Sequence, residues 1–324
     1  MAAQRVNPKE IAKLLEEAKS VAIFGHILPD GDCYGGVFAL KIALEGIGKD
    51  VFSYISDVVP EYLTFLEDYE SLKSQKEFCS ADLALVLDSS DLKRTENSDF
   101  LYEYKKTGAK ICLVDHHTTG DLIDFVDYAW QDTAKSSTSE MVLDVLKEMN
   151  LKIKKEAATL LLTGIETDTS SFQNQNTTVE ALEASAFLMS KGARLARIVN
   201  NTFHAKDMDT IKLYGLVLER LVYNEKYGTI VGYLTQKDAR DLGIEGDIST
   251  GVANYLNTIE DAKMIVFITE VEEGVLKVSL RTRDEGVDVS TLAKAFGGGG
   301  HVKASGFTVR GKVTNIDGKI KITC

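Results

Sequence analysis

The feature that most restricts the fold of this chain is a series of short, uninterrupted apolar runs, each leading toward the next through a helical stretch. Residues 21–24, 51–55, 83–87 and 110–114 are rich in Val, Ile and Leu, the composition of strands covered on both faces. Helical patterns at residues 34–45 and 100–106 lie between them. This alternation predicts an α/β fold with a doubly wound, mainly parallel sheet. Strands that all run one way deliver the residues at their carboxyl ends to a single edge, the edge where open α/β sheets bind ligands.

The residues at those carboxyl ends are chemically loaded. The first strand leads into Gly25-His26-Ile27-Leu28-Pro29-Asp30-Gly31-Asp32, with Gly35-Gly36 at the start of a helix. The run at 83–87 leads into Asp88, and the run at 110–114 into Asp115-His116-His117. Asp168 comes after an apolar helix read at residues 155–165. Alone, the first motif is equally an Asp-Gly turn with a helix cap, and Asp168 is a turn residue or cap. Together, parallel strands would crowd three acidic clusters at one edge, which is costly without counter-ions, and a divalent metal centre is the simplest resolution. Asp168 joins that set by association. Imidazole and carboxylate donors without thiolate suit Mn²⁺, with Mg²⁺ as the alternative, better than structural zinc.

Further along, helices are expected at residues 138–149, 155–165 and 179–191, the first with Ser137 and Glu140 in capping-box spacing. After a mostly helical stretch the texture changes to strands at 227–234, 264–271, 275–280 and 305–309, with Glu273-Gly274 as a tight hairpin turn. The chain therefore divides into a catalytic domain at 1–191, a helical connector at 192–218 and a smaller α+β domain at 219–324. In the last, Gly297-Gly298-Gly299-Gly300 comes after a helix at 289–296. Consecutive glycines accept positive φ and let amides approach an anion, and His301 adds a donor; the plain alternative is a hinge. Arg281 could grip a phosphate bidentately. Arg283 shares its face by strand periodicity but could simply be solvated, as could Lys303. Asn254 is read either as touching a nucleotide or as a helix residue facing solvent.

Bulk properties narrow the partners. A length of 324 residues suggests two cores. A net charge of −12 argues against a broad basic surface for long nucleic acid, leaving a small anionic ligand at a local positive site. Residues 1–17 lack the apolar core of a signal peptide, and no window is apolar enough to span a membrane. Cys33, Cys79, Cys112 and Cys324 show no CxxC spacing, which fits a reducing, cytoplasmic setting. A homodimer is compatible with the sequence.

The set His26-x3-Asp30-x-Asp32, Asp88, Asp115-His116-His117 and Asp168 resembles the four N-terminal motifs of the DHH phosphoesterase superfamily. The run Val278-Ser279-Leu280-Arg281-Thr282-Arg283, with Phe296 and Gly297 to His301, resembles the DHHA1 substrate-binding domain. The nearest subgroup is the bacterial nanoRNase type, which is also a 3′-phosphoadenosine 5′-phosphate (pAp) phosphatase. The resemblance implies two manganese ions, one held by His26, Asp30 and Asp88 and the other by Asp32, Asp88, His116 and Asp168, with Asp88 bridging. It places His117 near the scissile phosphate as a donor of a hydrogen bond or proton, while Asp115 would orient a ligand imidazole. Arg281, Gly298, Gly299, Gly300 and His301 would hold a terminal phosphate. The implied reaction is hydrolysis of short oligoribonucleotides or linear dinucleotides to 5′-mononucleotides, and of pAp. The rivals are a cyclic di-AMP phosphodiesterase and, in another class, a non-catalytic nucleotide- or RNA-binding module.

Overall fold

The computed structural model describes residues 3–56, 59–66, 74–118, 120–204, 208–244, 252–316 and 319–323. They form two compact units, Met1–Ala205 and Lys206–Cys324.

In the first unit the strands are β1 (Gln4–Arg5), β2 (Ser20–Phe24), β3 (Asp50–Tyr54), β4 (Leu83–Leu87), β5 (Lys110–Asp115) and β6 (Tyr128–Gln131). Its helices are α1 (Pro8–Glu17), α2 (Gly31–Glu45), α3 (Asp99–Thr107), α4 (Thr138–Glu148), α5 (Lys155–Asp168), α6 (Val179–Ser190) and α7 (Leu195–Val199). The sheet order is β1-β6-β5-β4-β2-β3, and every pair is parallel. The apolar runs become strands because both faces are covered. Val21 and Ile23 of β2, Leu83, Leu85 and Leu87 of β4, and Cys112 and Val114 of β5 enter one core cluster. The alternate residues Ala22, Phe24, Ala84, Val86, Ile111 and Leu113 enter the cluster on the other face. The chain leaves β2 toward β3 on one side and returns to β4 on the other, so a topological switch point opens beside the ends of β2 and β4.

Four local features differ from the sequence reading. Strands β1 and β6 were not expected, because one has two residues and the other has no apolar run. Helix α2 begins at Gly31 because the Asp30 carboxylate accepts the amides of Asp32 and Cys33 at 3.0 and 3.1 Å. Helix α5 continues to Asp168, so that residue closes a helix instead of sitting in a loop. The capping box at Ser137 is half formed: Ser137 accepts the Glu140 amide, but Glu140 turns to the Ser136 amide and hydroxyl and to Lys135.

The second unit contains α8 (Met208–Glu219), β7 (Val222–Asn224), β8 (Thr229–Leu234), α9 (Gln236–Leu242), α10 (Val252–Leu256), β9 (Met264–Glu272), β10 (Val275–Arg281), α11 (Val289–Ala295), β11 (Gly299–Gly300), β12 (Ala304–Arg310), β13 (Lys312–Ile316) and β14 (Lys319–Thr323). Its main sheet has the order β11-β12-β10-β9-β8-β7 and is antiparallel except for the β8–β9 pair. The hairpin at Glu273-Gly274 joins β9 to β10, with Gly274 at φ 74°. The stretch at 192–218 read as a connector is shared out. Leu195 and Ile198 pack into the first unit's core, and Leu213, Tyr214 and Val217 into the second's. Among the described residues no helix is long and apolar enough to cross a membrane. Cys33, Cys79 and Cys112 are free thiols; Cys324 lies outside the described residues.

Candidate metal centre

The carboxyl ends of β2, β4 and β5 converge as a parallel sheet requires, and the end of α5 joins them. His26 is buried, and its Nδ1 lies 2.8 Å from the Ile27 carbonyl oxygen. A carbonyl only accepts, so Nδ1 carries the proton there and Nε2 is left to face the acids. Nε2 stands 3.5 Å from Asp88 Oδ2 and 3.9 Å from Asp30 Oδ1. On the other side, His116 Nε2 lies 3.5 Å from Asp168 Oδ2, 3.7 Å from Asp88 Oδ1 and 3.9 Å from Asp32 Oδ2. Asp88 thus divides its two oxygens between two imidazoles. It does so from a left-handed backbone position, φ 59°, which aspartate tolerates better than most residues and which is a form of strain concentrated at functional sites.

The remaining acids are aimed by local structure. Asp32 caps α4: its oxygens accept the Thr138 and Ser139 amides at 2.6 and 2.7 Å, a favourable place for a carboxylate at a helix N-terminus. Thr138 donates its hydroxyl to Asp88 at 3.1 Å. Close packing of α2, α4 and α5 makes this arrangement possible. A Cβ at Gly35 would lie 2.5 Å from the Leu160 carbonyl oxygen, and one at Gly164 only 2.8 Å from Asp32 Oδ1. Asn176 ties down Asp168, reaching its carbonyl and carboxylate oxygens at 3.3 and 3.4 Å while also donating to the Ser136 carbonyl.

The donor set and its spacing fit hard divalent cations. Separations of 3.5–3.9 Å are too long for hydrogen bonds. Cation bonds of roughly 2.1 Å put ligand atoms between roughly 3.0 Å apart when adjacent and roughly 4.2 Å apart when opposite, a range that includes these separations. Ligand atoms of Asp32, His116 and Asp168 lie within 4.8 Å of one another, as do those of Asp88, His116 and His117 and those of His26, Cys33 and Asp88. Charge crowding points the same way. Burial, with Asp88, Asp168 and Asp30 adding, raises Asp32 well above the usual carboxylate range. Burial, with Asp30 and Asp88, outweighs the opposing His116 and pushes Asp168 up to about 6. Cys33 sits in the same neighbourhood, but its Sγ accepts the His26 amide at 3.2 Å and burial pushes the thiol up to about 11. Its buried side chain also packs into the first unit's core.

Asp115 is fully buried and accepts from His117 Nδ1 at 2.8 Å, from the His117 amide at 3.2 Å and from the Ser90 hydroxyl at 3.0 Å. The imidazole it orients is therefore His117, and not the neighbouring His116. His117 is one-third exposed, with Nδ1 3.4 Å from Asp88 Oδ1. Burial works against its charge, but the Asp115 hydrogen bond and Asp88 outweigh that and push the imidazole up to about 10.

In the second unit Arg281 ends β10. Its Nε donates to Asn254 Oδ1 at 2.8 Å and a terminal nitrogen donates to the Leu280 carbonyl at 2.9 Å. Asn254 thereby holds the guanidinium, a role the sequence left open. Arg281 pairs in register with Ala304, three residues after the exposed His301. The glycine run needs glycine chiefly to approach β12: Gly299 and Gly300 pair with Gly306 and Ser305, and Gly300 has φ 130° with a Cβ position 2.6 Å from the Ala304 oxygen. The amides of Gly297, Gly298 and His301 donate to Lys294, Ala293 and Ala304 carbonyls, so they are committed to the loop and do not face an anion. Arg283 lies beyond the strand and is exposed. Lys303 clamps the loop below it, donating to the Asp284 carbonyl at 2.6 Å.

Comparison with known proteins places the two units in known domain families. Residues 20–165 match the DHH family N-terminal domain and residues 227–321 the DHHA1 domain. The bifunctional oligoribonuclease and PAP phosphatase NrnA of Thermus thermophilus is 31% identical over 303 residues, covering 93% of this chain and 88% of that protein. The Bacillus subtilis protein of the same name is 24% identical, over 93% and 92% of the two chains. A solved exopolyphosphatase-related protein from Bacteroides fragilis superposes with a TM-score of 0.84 at 26% identity, covering 94% of this chain and 91% of that one. On its paired domain matches and its likeness to these full-length relatives, the chain belongs to the DHH family, with a DHHA1 domain as its second unit.

Proposed function

We propose that the protein is a two-metal phosphoesterase that hydrolyses short oligoribonucleotides and linear dinucleotides to 5′-mononucleotides and also removes the 3′-phosphate of pAp. The observation that carries the reading is Asp88, whose two oxygens face His26 on one side and His116 on the other at 3.5 and 3.7 Å. His26 and Asp30 with Asp88 would hold one cation, and Asp32, His116 and Asp168 with Asp88 the other. Mn²⁺ is the proposed ion, since imidazole and carboxylate donors without thiolate suit it. Two such ions supply Lewis-acid charge at a phosphoryl oxygen and lower the pKa of water at the site.

The chain's own groups divide the rest of the work. Asp115 fixes the His117 ring, so that His117 presents its other nitrogen as a donor toward a phosphate or a departing oxygen. Arg281, aimed by Asn254, gives a rigid two-pronged donor for the substrate's terminal phosphate, with the exposed residues Gly299, Gly300 and His301 nearby in the same sheet and its loop. The names of the T. thermophilus and B. subtilis relatives support this substrate class. Long nucleic acid is disfavoured by the net charge of −12.

The test is a substrate panel of pApA, pGpG, pAp and cyclic di-AMP with Mn²⁺, using exhaustively chelated protein as control. Turnover of the linear dinucleotides and pAp that vanishes on chelation and returns with Mn²⁺ is expected. Preference for the cyclic compound, or full turnover in metal-free protein, would overturn the reading.

A further inference from the structure

Beside His117, on the side away from His26, the first unit has a hollow of about 550 Å³ lined by Arg5, His117, Thr118, Gln131, Asp132 and Thr133. That volume lies within the range of small-molecule sites. Its walls are the carboxyl ends of three adjacent parallel strands. Arg5 ends β1, Gln131 ends β6 opposite Asp115 of β5, and His117 and Thr118 come directly after β5. The hollow is thus built on the same sheet edge as the metal cluster and shares His117 with it.

Two of its polar groups are underused. Among the described residues Arg5 forms no ion pair, and its one hydrogen bond is a long 3.5 Å contact to Gln131 Oε1. Gln131 Nε2 is shielded and has no hydrogen-bond partner among the described residues, a state that is uncommon for an amide and that rotation of the side chain toward the hollow would relieve. The lining is mixed in character. Arg5 donates, Gln131 and the two threonines both donate and accept, and Asp132 accepts, with one oxygen already taking the Ala134 amide at 3.0 Å. A carboxylate in the wall opposes an anion, so the set suits an uncharged ligand rich in both donors and acceptors. Gln and Arg side chains meet nucleobase edges in this way, each through paired hydrogen bonds.

We propose that this hollow is a nucleoside subsite. It takes the ribose and base joined through their 5′ oxygen to the phosphate being cleaved, with Gln131 and Arg5 on the base edge and the Thr118 and Thr133 hydroxyls near the sugar. The assignment rests on the phosphoesterase reading above. It also separates the two substrates of that reading: a dinucleotide has such a nucleoside, whereas pAp, cleaved at a terminal monoester, has none.

The experiment compares kcat/KM for pApA and for pAp in full-length, Mn²⁺-loaded wild type, Arg5→Ala and Gln131→Leu. Losing one base-edge contact is expected to lower the pApA-to-pAp ratio about tenfold, mainly through KM for pApA, and Arg5→Lys is expected to recover part of it. A ratio unchanged in both variants, or a parallel fall for the two substrates, overturns the subsite while leaving the phosphoesterase reading intact. Wild-type protein that turns over neither substrate would instead sink that reading and the subsite with it.

Discussion

In the first unit His26, Asp30, Asp32, Asp88, His116 and Asp168 arrive from the ends of three strands and one helix and crowd four carboxylates against two imidazoles. In the second unit Arg281 ends β10 and His301 lies in the short loop between β11 and β12, and the guanidinium already has partners in Asn254 and Leu280. The first arrangement is electrostatically unfavourable in itself, with Asp32 and Asp168 both raised by burial and by neighbouring acids. The second already has its guanidinium hydrogen-bonded. A site of the first kind owes its order to the fold and its charge balance to bound cations. A site of the second kind needs only local geometry. The two should therefore respond to mutation in different kinetic parameters.

The largest effect is expected for Asp88→Asn. Asparagine accepts the left-handed backbone at this position as readily as aspartate, so the fold should survive while the group facing both imidazoles loses its charge. Turnover of every substrate should fall to background. Wild-type protein saturated at about a hundred times Kd gains roughly 2.7 kcal/mol of stability from its metal, and the variant should gain far less. Thermal denaturation with and without Mn²⁺, beside a turnover assay, checks both. A variant that kept Mn²⁺-dependent turnover would erase the contrast between the two units.

The contrast also explains what could be read from the sequence. Strands β2 to β5 of the first sheet were legible as apolar runs, whereas β1 and β6 were not, and the strand-end motifs were legible because each adjoins the end of its strand. What was missed depends on residues far apart in the chain. The Thr138 and Ser139 amides that hold Asp32 lie more than a hundred positions away, and no local pattern announces them. Asn176 and Asp168 are closer, but their contact depends on α5 running through to Asp168, which the polar residues Glu166 and Thr167 concealed. His116 and His117 are adjacent, so spacing alone could not say which one Asp115 binds; the backbone turn after β5 decides it. In the second unit the glycine run announced itself, but its main purpose, approach to β12, became visible only with the strand pairing.

Arg281→Ala should act on binding and leave chemistry largely alone. A charged hydrogen-bonding group is worth about 1.5–3 kcal/mol, so KM for substrates with a terminal phosphate should rise roughly ten- to hundredfold, with kcat changed only a few-fold. Arg281→Lys should not restore it, because a lysine ammonium cannot reproduce the paired geometry. A loss confined to kcat would mean that the second unit takes part in the transition state and that the division of labour between the units is wrong.

The smallest expected effect is the most discriminating. Asn254→Ala removes the acceptor that fixes Arg281 Nε at 2.8 Å. Ordering one long side chain costs about 0.5–1.5 kcal/mol on binding, so KM should rise between about twofold and tenfold. Two roles for Asn254 give that same single-variant result: holding Arg281, or touching the nucleotide itself. They part in the double variant. If Asn254 acts through Arg281, its removal adds almost nothing once Arg281 is alanine, and the two changes are strongly non-additive. If it contacts the ligand directly, the effects add, and base preference shifts between pApA and pGpG. KM for both dinucleotides in the single and double variants therefore tests whether recognition in the second unit is a property of one aimed guanidinium or of a wider surface.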